Sequence, residues 1–119
     1  MSQIKKDEQI GGAVLYLKGQ FIGGEETDEL RDVLKSIAEQ SSNKVIIDLE
    51  KVTYLNSTAI GVLISAHASF VKRNGKVVLC NVSKSIENIF VITKLTLVFP
   101  ICATVDEAKN SCLNKLFLC

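Results

Sequence analysis

The chain contains no tryptophan, one proline, one methionine and one histidine. With His67 as the single histidine, no Ser/His/Asp or Cys/His set with a credible orienting partner can be argued, and little is left for a metal. Four cysteines stand at 80, 102, 112 and 119, with no two spaced C-x-x-C. Zinc and redox motifs are therefore lacking. Cys80 and Cys102 lie in apolar, strand-like surroundings, where a free thiol acts as a small hydrophobe, so reduced structural thiols are expected. No G-x-x-x-x-G-K-[ST] or G-x-G-x-x-G occurs, so no phosphate-cradling loop is expected. These absences predict a protein that is no enzyme, with no catalytic residue, no metal and no cofactor.

A charge excess of one sign is also missing. Fourteen basic and thirteen acidic residues are interspersed, which argues against a nucleic-acid footprint. No apolar run approaches the roughly 18 residues a membrane helix needs. "MSQIKKDEQIGG" has no apolar signal core. The expectation is a cytoplasmic protein with no direct membrane insertion.

What is present is periodic. With 119 residues, one domain over residues 1–119 is expected, built around one core. A short strand within residues 2–8 precedes "AVLYLKG", a β-rich run that its glycine ends. Gly23 and Gly24 lead into a helix in which Leu30, Val33, Leu34 and Ile37 form one stripe. Acids crowd its first turn, facing the positive end of the helix dipole. "KVIIDL" reads as a strand buried on both faces, followed by a short loop. A helix over residues 57–73 follows, with Asn74–Gly75 as its stop. On that helix His67 falls at helical spacing from Ile60, Ile64 and Val71, beside the buried face.

"KVVLC" reads as a third buried strand. "SKSIENIFVIT" is a helix with Ile86, Ile89, Phe90 and Thr93 on one side. "LVFPI" is a short strand whose Pro100 suggests an edge or an end. Thr104 and Glu107 give the T-x-x-E capping box of a last helix, in which Ala108, Cys112 and Leu116 share a face. The apolar tail "LFLC" finishes the core or makes a contact patch. The order β-β-α-β-α-β-α-β-α predicts an α/β fold: a mostly parallel mixed sheet, about four helices, and an antiparallel first strand at one edge.

Sites in such sheets lie beyond the carboxyl ends of the strands. There "DLEKVTYLNSTAIGVL" places Asn56, Ser57 and Thr58 at a helix start. Two readings follow from the residues alone. Asn56 and Ser57 are both good N-caps, with Thr58 near the first helical position, and in one reading they only satisfy orphan backbone N–H groups. Alternatively one hydroxyl is a phosphorylation site, where a phosphate of about −1.5 to −2 charge is tolerated at the positive helix end and acts on a docking partner. A phosphorelay receiver has a similar element order but needs an acidic pair after its first strand; Gly19, Gln20 and Phe21 stand there instead.

The segment "VIIDLEKVTYLNSTAIGVLISA" resembles the STAS domain family, the fold of bacterial anti-sigma factor antagonists. The family pattern is an apolar strand ending in D-L, then V-x-[YF]-[ILM]-D-S-[ST]-[GA]-[IL]-G. "LKGQF", "NGKVVLCNVSKSIENIF" and "ITKLTLVFPICATVDEA" extend the resemblance over nearly the whole chain. It implies partner switching in transcription regulation. The unphosphorylated antagonist binds an anti-sigma factor, often itself a serine/threonine kinase using ATP and magnesium. Phosphorylation at the start of the second helix releases the complex, and a phosphatase resets it. The acceptor implied by the motif is Thr58, followed by Ala59, Ile60 and Gly61, with Ser57 as the second choice. The implied partner-binding surface takes in Phe21, Ile22, Gly23, Gly24, Asn56, Ser57, Thr58 and Ala59; an exposed Phe21 beside the glycines would suit a docking anchor, and a buried one is just as ordinary. Asn56 and Ile22 stand where the family commonly has aspartates, which removes negative charge near the acceptor. The alternative within the family is an unswitched module, either a scaffold in a signalling assembly or an accessory subunit of a lipid transporter.

Overall fold

Among the described residues, nine elements follow one another in the expected order. The computed structural model describes residues 3–9, 12–39, 44–92, 99 and 101–112. They form β1 (Gln3–Gln9), β2 (Gly12–Phe21), α1 (Glu25–Glu39), β3 (Lys44–Leu55), α2 (Ser57–Val71), β4 (Lys76–Cys80), α3 (Lys84–Ile92), β5 (Ile101–Cys102) and α4 (Val105–Cys112). The five strands make one mixed sheet in the order β1-β2-β3-β4-β5. Only β1 runs antiparallel, hairpinned onto β2; the other pairs are parallel. Each parallel pair is joined through a helix, as a crossover requires.

Alternating side chains send the two faces of the sheet to different partners. Ala13, Leu15, Leu17, Val45, Ile47, Leu49, Val77 and Leu79 point into the larger core, where Leu30, Leu34 and Ile37 of α1, Leu63 and Phe70 of α2, and Ile86 and Phe90 of α3 cover them. Val14, Ile46, Val78 and Cys80 point the other way and meet Ala108 of α4.

Two readings of strand length are corrected. Gly19 does not end β2. It takes a φ of 95° and the strand runs on to Phe21. Likewise the residues read as a loop after "KVIIDL" continue β3 to Leu55. The reason is a pair of register shifts, between Tyr16 and Lys18 and between Gly19 and Gln20. β2 has 10 residues against 12 in β3, so β3 carries the two extra ones as bulges. The buried residues of β3 show where: Val45, Ile47 and Leu49 are two apart, but Val52 and Leu55 come at steps of three. Each insertion returns the next apolar side chain to the core, where strict alternation would turn it to solvent.

Helix ends are set by local bonds. α2 stops at Val71, two residues before the expected end. Asn74, not Gly75, adopts the left-handed turn, at φ 62°. The Gly75 N–H donates to the Phe70 carbonyl at 2.7 Å and the Asn74 N–H to Val71 at 3.0 Å, the pairing of a Schellman motif. In α4 the Glu107 N–H donates to Thr104 Oγ1 at 3.1 Å, and the Ala103 N–H donates to Glu107 Oε1 at 3.4 Å. The capping box thus closes one residue earlier than expected. On α2, Ala59, Val62, Leu63 and Phe70 form the buried face, while Ile64 and Val71 are exposed. His67 sits at its margin. The Val77 N–H donates to its Nδ1 at 3.4 Å, and its ring lies 5.1 Å from that of Phe99. The expected contributions of Thr93, Leu116 and the "LFLC" tail lie outside the described residues, as does most of "LVFPI".

Candidate functional site

β2 and β3 end level with each other. Phe21 is paired with Leu55, and the Asn56 N–H donates to the Phe21 carbonyl at 3.0 Å. This bond ties the loop of residues 22–24 to the start of α2. Asn56 is the N-cap: its backbone is extended, its Oδ1 accepts from the Ala59 N–H at 3.0 Å, and its carbonyl accepts from Ile60. The cap is therefore the amide side chain, and neither hydroxyl supplies it. Ser57 and Thr58 are exposed, and the Thr58 hydroxyl makes no hydrogen bond among the described residues. Asn56 alone acts as the cap, and Ser57 and Thr58 stand exposed beside it.

The loop lies against the carbon atoms of the Thr58 side chain. Gly23 has a φ of 89°, and a Cβ there would sit 3.4 Å from Thr58 Cβ and 3.6 Å from Asn56 Nδ2. The backbone N–H groups of the loop point back into α1. Ile22 and Gly24 donate to Glu26 Oε2 at 2.8 and 3.0 Å, and Gly23 donates to Thr27 Oγ1 at 2.9 Å. The buried Thr27 hydroxyl itself donates to Glu26 Oε2 at 2.6 Å. These donors hold the Glu26 carboxyl down at about 2, the Thr27 hydroxyl most of all, then the Ile22 N–H. The loop is thus braced by α1, and its amides are already engaged.

Of the residues implied as partner-binding, Ile22, Gly23, Gly24, Ser57 and Thr58 are exposed and Asn56 is half-buried. Phe21 is corrected. It is fully buried in the larger core, so its side chain cannot anchor docking, and the exposed apolar group beside the glycines is Ile22, at 51%. Ala59 is also fully buried, because it falls on the inward face of α2. Two participants escaped the sequence reading. The acids of α1 suggest only dipole complement, whereas Glu26 is the brace of the loop; the cue was an acid and a threonine directly after a glycine pair. Tyr54, 47% exposed, stands at the same strand end, one residue past the second bulge.

Asp48 pairs with Cys80 across β3 and β4. It is buried, and its Oδ1 accepts from the Glu50 N–H at 2.9 Å and Asn81 Nδ2 at 3.1 Å. Burial pushes the Cys80 thiol up to about 12, with the Asp48 charge adding to it; the thiol also reaches the Ile47 carbonyl at 3.6 Å. It is an inert core group. Among the described residues no group of three or more His, Cys, Asp or Glu gathers to hold a metal, and no helix is long and apolar enough to cross a membrane.

Comparison with known proteins gives a match between residues 2–108 and the model of the STAS domain. The unphosphorylated form of the anti-sigma factor antagonist SpoIIAA superposes with a TM-score of 0.79 at 17% identity, over 91% of this chain and 94% of that one. The phosphorylated form of SpoIIAA, a Bacillus cell fate determinant, gives 0.72 at 18%, over 92% and 97%. A sulfate transporter family protein from Wolinella succinogenes gives 0.73 at 22%, over 87% and 85%. At these identities the likeness is one of fold.

Proposed function

The chain belongs to the STAS domain family, and from that membership we propose that it is a cytoplasmic, non-enzymatic anti-sigma factor antagonist, switched by phosphorylation of Thr58. The observation that carries this reading is the division of labour at the start of α2. Asn56 caps the helix, so the exposed Thr58 hydroxyl is spare. A phosphate on Thr58 would stand at the positive end of a 15-residue helix, where an anion is stabilised by about 0.3–1 kcal/mol. The fold tolerates it, and the cost falls on whatever docks over Ile22, Gly23 and Thr58. Unphosphorylated, this face binds the anti-sigma factor. Phosphorylated, it repels that partner, and a phosphatase restores it. Ser57, equally exposed, is the second acceptor.

The test is incubation with candidate anti-sigma kinases and Mg-ATP, with the label mapped by mass spectrometry. Label is expected on Thr58 and is lost in Thr58→Ala. Thr58→Glu is expected to weaken anti-sigma binding more than tenfold, about 1.4 kcal/mol, with an unchanged thermal transition. Equal affinity for Thr58→Glu and the parent chain would count against a charge switch. A second reading draws on Ile22 and Asn56, which stand where the family commonly has aspartates, and on the likeness to a transporter-family protein. In it the same face serves an unswitched module, either a signalling scaffold or an accessory subunit of a lipid transporter. Absence of label on Thr58 and Ser57, with tight binding to a transporter ATPase, would favour this second reading.

A further inference from the structure

Between α1 and α2 the surface opens into a groove of about 570 Å³. Its floor is apolar: Leu34, Ala38, Val62 and Phe70, each more than nine-tenths buried. The α2 wall is low, because Gly61, Ser65 and Ser69 recur every fourth residue along one face. From Gly61 to Ser69 that face runs for about 12 Å. A Cβ added at Gly61 would meet no atom within 4 Å, so the groove is open space at that point.

The rim is charged, and mostly of one sign. Arg31, Lys35 and Arg73 line it against a single carboxylate, Glu39. Arg31 is shared with Asp28 at 2.8 Å, while Lys35 and Arg73 are exposed and make no ion pair among the described residues. The groove thus combines three features: an elongated apolar floor, unneutralised cations beside it, and a volume inside the roughly 300–1,000 Å³ range of small-molecule sites. A purely apolar ligand would leave the cations unused, and a small inorganic anion would leave the floor wet.

We propose that this groove binds a single-chain anionic amphiphile. The hydrocarbon chain lies on the floor along the low wall of α2, and the carboxylate or phosphate headgroup pairs with Lys35 and Arg73. Thr58 is among the lining residues of the groove, but binding is measured on the unmodified chain and needs no phosphorylation, so failure of one reading leaves the other standing.

The test is an amide ¹⁵N–¹H NMR titration of the whole chain with dodecanoate, dodecyl phosphate and dodecyltrimethylammonium, each below its micelle concentration. Saturable one-to-one shifts are expected in α1 and α2 along the groove for the anions, with the cation at least tenfold weaker. Saturation by both anions supports a fatty-acid-like ligand. Saturation by dodecyl phosphate alone supports a phospholipid-derived one. The double variant Lys35→Glu/Arg73→Glu, at two exposed positions, is expected to weaken anion binding at least tenfold, as is Gly61→Leu, which fills the open space. Should Gly61→Leu fail to fold, the charge reversal decides. Unsaturable shifts, shifts centred elsewhere, equal binding of the cation or unchanged affinity in the folded variants would overturn the proposal. So would a polyglutamate peptide that shifts the groove residues when neither anion does, a result pointing to an acidic protein segment.

Discussion

Glu26 joins two elements through one carboxylate. It receives the Ile22 and Gly24 amides and the Thr27 hydroxyl, and its carboxyl is held near 2 against an ordinary 4.5. The sign of the consequence follows directly. As pH falls, the unfolded chain takes up this proton before the folded one does. The stabilisation is complete above about 4.5 and is lost between about 4.5 and 2. Urea midpoints across that window are expected to fall more steeply for the parent chain than for Glu26→Gln. A parallel pH dependence in both would remove Glu26 from this role. At the same scale, a Cβ at Gly24 would come 2.7 Å from Glu26 Oε1, so a side chain there would push the end of the bracing carboxylate aside. None of this was legible beforehand. An acid in a first helical turn looks the same whether it faces solvent or folds back, and only the position of the preceding loop distinguishes them.

At the scale of elements, α2 is the informative one. Its N-terminus offered two consecutive N-cap candidates, Asn56 and Ser57, and a one-residue ambiguity is beyond what local propensity resolves. The deciding contact is the Asn56 N–H to the Phe21 carbonyl, which joins residues far apart in sequence. Asn56→Ala is expected to destabilise the fold by about 1 kcal/mol in denaturant titrations, whereas Asn56→Asp keeps an acceptor in place and most of the stability. Equal losses in both would show that the amide's donor group, not its capping oxygen, is what the helix needs. The C-terminal stop was legible as a site but not in its detail. Asn74–Gly75 announces a turn, yet the left-handed residue is Asn74, because Gly75 must bring its N–H within 2.7 Å of the Phe70 carbonyl. The helix stripes were read more accurately, since Leu30, Leu34 and Ile37 on α1 and Ile86 and Phe90 on α3 needed only local periodicity.

For the molecule as a whole, element order and the mixed sheet followed from alternating strand and helix patterns. The length of the two central strands did not. Period-two alternation in β3 breaks after Leu49, and a broken alternation looks like a loop. The spacing of Val52 and Leu55 at steps of three was visible in the sequence but ambiguous without the even spacing of Leu15, Leu17 and Phe21 beside it. Gly19, at φ 95° beside the second shift, is where β2 accommodates the mismatch. Gly19→Ala is expected to cost about 1–2 kcal/mol with an unchanged denaturant slope. A neutral substitution there would mean that the strand pair relaxes around the bulge.

The two extra residues of β3 also act as a ruler. They make up the difference between two unequal strands so that Phe21 and Leu55 arrive together, and everything presented at the far end depends on that arithmetic. Gly23 faces Thr58 because of a count, not because of any side chain along the way. A surface placed by counting drifts freely in composition while its lengths stay fixed. The gain or loss of a single residue between positions 49 and 55 would therefore move Leu55 off Phe21 and carry the start of α2 with it.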